Sequence, residues 1–281
     1  MFMNREIPRV LALHDLSGFG RCALTVIIPV MSSLGIQVCP VPTAVLSTHT
    51  GGFTDFAFQD MTEFMKDNLR HYQKLNLSFD GVYSGFLGSA EQCAIVEEYI
   101  AAFGSNHVLV DPVLGDNGVL YSTVTESLVC QMRRLVSKAK LITPNMTEGA
   151  YLLEESAPES MTKDQAVRWA KRLCDLGPSC CILTGVHLKE ENGKMFSVLY
   201  DKKKNKSLCY GSQEVYGEYP GAGDAFASVF LSYLLKEETP EKCLRFASDY
   251  VYQKIKLAKE QGNPPREGLP LEFEIKESMK Q

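Results

Sequence analysis

Short apolar runs alternate with longer segments whose apolar positions recur every three or four residues, and the alternation continues to about residue 260. Runs bounded by Gly, Pro, Asn or Asp predict buried strands, and the longer period predicts helices. Strands are predicted over residues 9–14, 36–46, 81–84, 107–110, 141–143, 180–188 and 195–199. Helices are predicted over about 22–34, 61–75, 90–103, 124–139, 164–176, 225–236 and 241–260. Gly177-Pro178 stops the helix before it, and Glu190-Glu191-Asn192-Gly193 predicts a hairpin. The charged run 201–206 reads as the solvated tip of a further turn, ahead of a phosphate-binding patch. The Pro/Gly-rich stretch after Gln261 reads as irregular.

Strands and helices in alternation predict an α/β fold, with a mostly parallel central sheet flanked by helices on both faces. No long linker, repeat or low-complexity block interrupts the pattern, so residues 1–281 are read as one domain. In such sheets ligands lie beyond the carboxyl ends of the strands. The small polar and acidic residues recur there: His14-Asp15, Thr48-His49-Thr50, Ser84-Gly85-Phe86, Asp111-Pro112, Thr143-Pro144-Asn145 and Thr184-Gly185.

Composition narrows the class. The hydrophobic fraction of 45% and charged fraction of 22% are those of an ordinary soluble protein. A net charge of −5 argues against a general nucleic-acid binder. Between Cys22 and Thr54 there is no Asp, Glu, Lys or Arg, but Pro29, Gly35, Pro40 and Pro42 cut that stretch into pieces too short to cross a membrane. The nine cysteines show no zinc-type pairing, and Arg5, Glu6 and Arg9 interrupt the apolar start as no secretory signal would allow. A reducing, cytoplasmic setting with free thiols is the expectation.

The most informative segment is Gly221-Ala222-Gly223-Asp224, set immediately before an apolar helical run. Glycines let backbone N–H groups approach an anion, and a helix N-terminus adds a favourable field. An aspartate there repels an anion, but it suits removal of a proton from a hydroxyl that then attacks a phosphoryl group. Locally, Asp224 reads equally well as a helix cap. Gly18-Phe19-Gly20 has the spacing of a dinucleotide fingerprint, which also needs an acid at the end of the next strand. Cys39-Pro40-Val41-Pro42 stands there instead, which leaves a tight turn or a loop over a small substrate, the latter favoured by Asp15 and Ser17.

Asp111 and Asp116 in one turn, and Asn145 with Glu148 after the next strand, offer oxygen ligands for Mg²⁺ and its waters. The structural alternative is a turn cap for Asp111 and a favourable first-turn charge for Glu148. His49, between two threonines in the uncharged stretch, is assigned to pocket shape.

These segments together resemble the ribokinase-like superfamily, and within it the vitamin B6 kinases. Ser47-Thr48-His49-Thr50 and Ser84-Gly85-Phe86-Leu87-Gly88-Ser89-Ala90-Glu91-Gln92 are similar to motifs of those enzymes, and Asp111–Asp116, Thr143-Pro144-Asn145 with Glu148, and Gly221–Asp224 match in order and spacing. The resemblance implies a three-layer sandwich and ATP-dependent phosphorylation of a vitamer hydroxymethyl group. It makes Asp224 the base and gives Gly221, Ala222 and Gly223 the transferring phosphoryl group. Asp111 and Glu148 would hold Mg²⁺ beside Asn145, with Thr184 and Gly185 near the nucleotide. Asp15, Ser17, His49, Thr50 and Phe86 would line the pyridine pocket. Members are often homodimers and some use K⁺. Two departures stand out: Asp15 replaces a frequent serine, and Phe86 replaces the usual tyrosine. The run Asp15-Leu16-Ser17-Gly18 instead resembles hydroxymethylpyrimidine kinases, the closest rival, ahead of a nicotinamide-dependent oxidoreductase or a vitamer-binding protein without turnover.

Overall fold

A computed structural model describes residues 7–104 and 106–272. The charged start at Arg5 and Glu6 and the last part of the tail, 273–281, lie outside the described residues. The chain opens with β1 (Arg9–Phe19), α1 (Leu24–Ser33), β2 (Gln37–Thr48), β3 (Phe58–Asp60) and α2 (Thr62–Lys74). Three strand–helix units follow: β4 (Gly81–Ser84) with α3 (Ala90–Phe103), β5 (Val108–Val110) with the small hairpin β6 (Gly115–Asp116) and β7 (Val119–Leu120) before α4 (Glu126–Val136), and β8 (Leu141–Ile142) with α5 (Met146–Leu153) and α6 (Lys163–Asp175). The last part holds β9 (Cys180–Val186), β10 (Lys194–Asp201), β11 (Lys206–Gln213), α7 (Ala222–Leu235) and α8 (Pro240–Glu260).

The main sheet has nine strands in the order β11-β10-β9-β8-β5-β4-β1-β2-β3. From β9 to β2 in that order neighbouring strands pair parallel, whereas β3 pairs antiparallel with β2 and β10 pairs antiparallel with both β9 and β11. Alternate residues of each central strand point to opposite faces. Leu11, Leu13, Val82, Val110 and Ile142 join a core with α2 to α6, while Val10, Ala12, Tyr83, Leu109 and Leu141 join one with α1, α7 and α8. Two apolar faces explain why the central strands read as continuous apolar runs. This is the ribokinase-like three-layer sandwich that the resemblance implied.

The sequence reading ends β1 at His14, but the strand continues to Phe19 through an irregularity between His14 and Leu16. The cause is β2, which runs beside it and pairs Ser17 with Leu46 and Phe19 with Thr48. A Cβ on Gly18 would lie 3.1 Å from the Ser47 carbonyl oxygen, so this glycine permits close strand approach and is no phosphate-binding turn. The run 201–206 does form an exposed turn between β10 and β11, and Cys181 is a buried strand residue.

Candidate active site

Strand β2 is added on one side of β1 and β4 on the other, so the direction of chain progression reverses between β1 and β4. A crevice at the carboxyl ends of these two strands follows from that reversal. His14 stands in β1 at this point, and Ser84-Gly85 closes β4 beside it. A Cβ on Gly85 would lie 1.9 Å from His14 Cδ2, so only glycine lets the imidazole cross the end of β4.

The buried His14 ring joins two carboxylates. Its Nδ1 is 2.9 Å from Asp15 Oδ1 and its Nε2 is 3.1 Å from Asp224 Oδ1. Backbone N–H groups of Asp15 and Phe86 approach the same nitrogens at 3.0 and 3.3 Å. A neutral ring would leave one carboxylate facing a bare nitrogen, whereas an imidazolium donates to both through charge-assisted bonds. Burial by itself lowers the His14 pKa, but the Asp224 charge and the bonds to both carboxylates outweigh it and push the value up to about 10.

Asp224 lies in the first turn of α7, and its Oδ2 accepts a 2.6 Å hydrogen bond from the Ala23 N–H at the start of α1. Ala23 has φ 53°, a region uncommon for a residue with a Cβ. Burial would raise the Asp224 carboxyl, yet the imidazole of His14 holds it below the usual carboxylate range. Asp15 is only 7% exposed, and its Oδ2 accepts from Ser17 Oγ at 2.8 Å. Both Asp15 oxygens therefore serve His14 and Ser17.

Gly221 caps α7 at φ +84°, and a Cβ there would lie 2.3 Å from the Arg21 carbonyl oxygen. The backbone of Gly223 borders Asp111, whose Oδ2 would be 3.9 Å from a Cβ at that position. Burial and the Asp224 charge push the Asp111 carboxyl up to about 7, against the opposing influence of His14. Glu148 accepts from the Leu114 N–H at 3.2 Å and the Asn145 N–H at 2.8 Å, while Asn145 Oδ1 accepts from the Glu148 N–H. This is a capping box at the start of α5. Asn145 Nδ2 also donates to the Gly115 carbonyl at 2.8 Å. Burial first, then Asp111, hold the Glu148 carboxyl well above its usual range.

Among the described residues no cluster of three or more His, Cys, Asp or Glu could hold a metal ion. Asp111 and Glu148 form no ion pair with Lys, Arg or His among those residues either. The Tyr83 hydroxyl, buried within the field of Asp111, Asp224 and Glu148, has no hydrogen-bond partner among the described residues. Two uncompensated carboxylates beside an anion-receptive helix start fit a Mg²⁺ ion that keeps several waters and phosphate oxygens as its other ligands.

The remaining sequence-selected residues lie around this centre. His49 Nε2 is 2.7 Å from the Arg266 carbonyl, and its Nδ1 accepts from the Gly51 N–H at 3.1 Å, so the ring fastens the turn carrying Thr50 to the C-terminal segment. A Cβ on Gly51 would be 3.9 Å from Pro220 Cγ, which puts that turn at the edge of the α7 start. Phe86 is buried against Ala44 and Leu46, and its carbonyl accepts from Thr43 Oγ1. Thr184 bridges to Asn145 at the end of β9, followed by Gly185 at φ +65°. Asp116 lies in the β6–β7 hairpin, which is tied to Thr147 through Gly118 and to Glu218 through Asn117. Sequence reasoning gave His14 no role. Its one signal was position, at a strand end directly before Asp15.

The fold and this arrangement define a ribokinase-like small-molecule kinase. The chain belongs to the phosphomethylpyrimidine kinase family, whose model matches residues 28–267. A candidate phosphomethylpyrimidine kinase of Bacteroides thetaiotaomicron, solved with pyridoxal, is 37% identical at a TM-score of 0.90 and covers 96% of this chain and 98% of its own. Pyridoxal kinase from Lactobacillus plantarum is 26% identical at a TM-score of 0.86, covering 95% and 94%. The pyridoxal kinase PdxY of Vibrio parahaemolyticus is 28% identical over 86% of this chain and 85% of that protein.

Proposed function

We propose that this enzyme transfers the γ-phosphoryl group of ATP to the hydroxymethyl group of a B6 vitamer, with Asp224 as general base. The observation that carries the reading is the placement of a buried Asp224, its carboxyl held low by His14, in the first turn of α7, three residues after the Gly221 cap and close enough to Asp111 for the two charges to interact. An alcohol brought to that carboxylate loses its proton as its oxygen attacks the phosphorus, so the base is needed where the phosphoryl group is received. N–H groups of Gly221, Ala222 and Gly223 at the helix start supply donors for charge developing on the phosphoryl oxygens.

Asp111, with Glu148 and Asn145 behind it, would hold Mg²⁺ and its waters. The ion would neutralise phosphate charge when bound. Thr184 and Gly185 border the nucleotide in this reading, while Ser17, Thr50 and Phe86 line the ring pocket. His49 shapes that pocket from behind by fastening its turn. Asp15 reaches the substrate side as half of an ion pair with His14. All nine cysteines are free, which supports the reducing, cytoplasmic setting of this reading.

Pyridoxal in the 37% identical relative supports a B6 vitamer as acceptor. The family's name and the run Asp15-Leu16-Ser17-Gly18 support hydroxymethylpyrimidine as the second reading. Coupled measurement of ATP consumption on pyridoxal, pyridoxamine, pyridoxine and hydroxymethylpyrimidine decides between them. We expect the highest kcat/KM on a B6 vitamer. A higher value on hydroxymethylpyrimidine would transfer the assignment to the second reading.

A further inference from the structure

The chain of contacts from Ser17 through Asp15 and His14 to Asp224 links residues from β1 to one on α7. We propose that His14 is a positioning residue for phosphoryl transfer, aiming the Asp224 carboxylate with Nε2 while Nδ1 fixes Asp15 at the substrate pocket. The proposal rests on the reading of Asp224 as base and Asp15 as a pocket residue.

Three observations support it. First, the two contacts use opposite edges of one rigid ring, so a shift of either carboxylate is opposed by the other. Second, the ring is itself held. The end of β4 leaves it the space that a Gly85 side chain would occupy, and Tyr83 stands edge-on to it at 6.2 Å. Third, the Ala23 N–H fixes the other Asp224 oxygen at 2.6 Å, so the carboxylate has little rotational freedom left. A base must sit within hydrogen-bond reach of the proton that it removes, and a misplacement of about 1 Å costs up to about a hundredfold in rate.

The Asp15 contact has a consequence for specificity. Sharing the His14 cation with Asp224, Asp15 offers the pocket a partly compensated charge in place of a bare one. Selection for a cationic amine on the substrate is therefore weak while His14 is present, and strengthens when the Nδ1 contact is lost.

The two edges of the ring can be separated by substitution, because an asparagine amide nitrogen reaches the place of Nδ1 and a glutamine amide nitrogen that of Nε2. His14→Asn is expected to keep the Asp15 contact, lower kcat about ten- to a hundredfold, and leave the vitamer KM within about threefold. His14→Gln is expected to keep most of the Asp224 contact, with the larger loss in KM for pyridoxal and a raised preference for pyridoxamine. Gly85→Ala is expected to lower kcat by displacing the ring, and to add little once His14 is already alanine.

Steady-state kinetics of these variants, with thermal melts to verify folding, test the idea. Equal kcat and KM losses in His14→Asn and His14→Gln would reduce His14 to a structural role and overturn the proposal. Additive effects of Gly85→Ala and His14→Ala would do the same. Asp224→Asn in the same assay separates the two levels: near-normal turnover there removes the base reading, whereas loss of turnover there with unchanged kinetics in the His14 variants removes this inference alone.

Discussion

Two groups of buried carboxylates lie along the carboxyl edge of the sheet, and they are balanced in opposite ways. Asp15 and Asp224 flank the His14 imidazole, and the Asp224 carboxyl is held below its usual range despite burial. Asp111 and Glu148 have no ion-pair partner among the described residues, and burial drives Asp111 up to about 7, against the more distant charge of His14, and Glu148 well above its usual range. Equal burial thus produces opposite protonation tendencies, depending on whether a cation is built into the protein. In one group a cation built into the fold keeps the Asp224 carboxyl low, as the proposed base requires. The other has the charge deficit that a divalent ion bound with ATP would fill.

The contrast can be broken at either end. The largest effect is expected from Asp224→Asn, which should lower kcat at least about a hundredfold while leaving ATP binding nearly intact. Pre-steady-state or steady-state turnover together with nucleotide titration checks this. The same substitution removes a partner of the His14 cation and should destabilise the fold by about 1–3 kcal/mol.

Asp111→Asn should act with the opposite sign on stability. It removes a buried carboxylate that lacks a counter-ion, so the ligand-free protein should melt no lower than the original. Its activity loss should appear as a requirement for about tenfold or more Mg²⁺, read from initial rates across a magnesium titration. A lowered melting temperature for Asp111→Asn would erase the contrast between the two groups.

The pH dependence of stability sharpens it further. His14 titrates near its ordinary value in the unfolded chain and at about 10 in the fold, where Asp15 from β1, Asp224 from α7 and Asp111 beyond β5 face it. A raised folded-state value means that its contribution is complete below about 6.5 and is lost as pH rises through about 10. Denaturant melts between those limits should lose stability more steeply for the original protein than for His14→Gln. The smallest effect is expected from Asn145→Ala, which opens the capping box of α5 and should cost about 1 kcal/mol, measurable by the same melts.

The two groups also differed in how far they could be read from the chain. Asp111, Asn145 and Glu148 were found because acids and amides in turns after apolar strands are unusual where burial is expected. Gly221 to Asp224 was found because glycines and an acid precede an apolar helix. His14 could not be assigned in the same way, because its meaning depends on Gly85 from β4 and Asp224 from α7, both brought to it by strand order. The sequence also misjudged β1, whose extension past His14 is imposed by pairing with β2. His49 was chosen for the pocket from its local setting, while the bond of its Nε2 to the Arg266 carbonyl, 217 residues away, is visible only in the fold; Nδ1 accepts from the Gly51 N–H two residues on.

The amino-acid sequence alone determined the alternation of strands and helices, the two-sided sheet and the residues placed at its carboxyl edge, because periodicity and turn chemistry are local. Tertiary structure alone decided which of those residues share a charge. Burial pushes each of these acids upward and hydrogen bonds oppose it, but at Asp224 the His14 cation brought from another element is the largest influence that reverses it. That is why the Asp224 carboxyl is held low beside His14, as the proposed base requires, while those of Asp111 and Glu148 are held high.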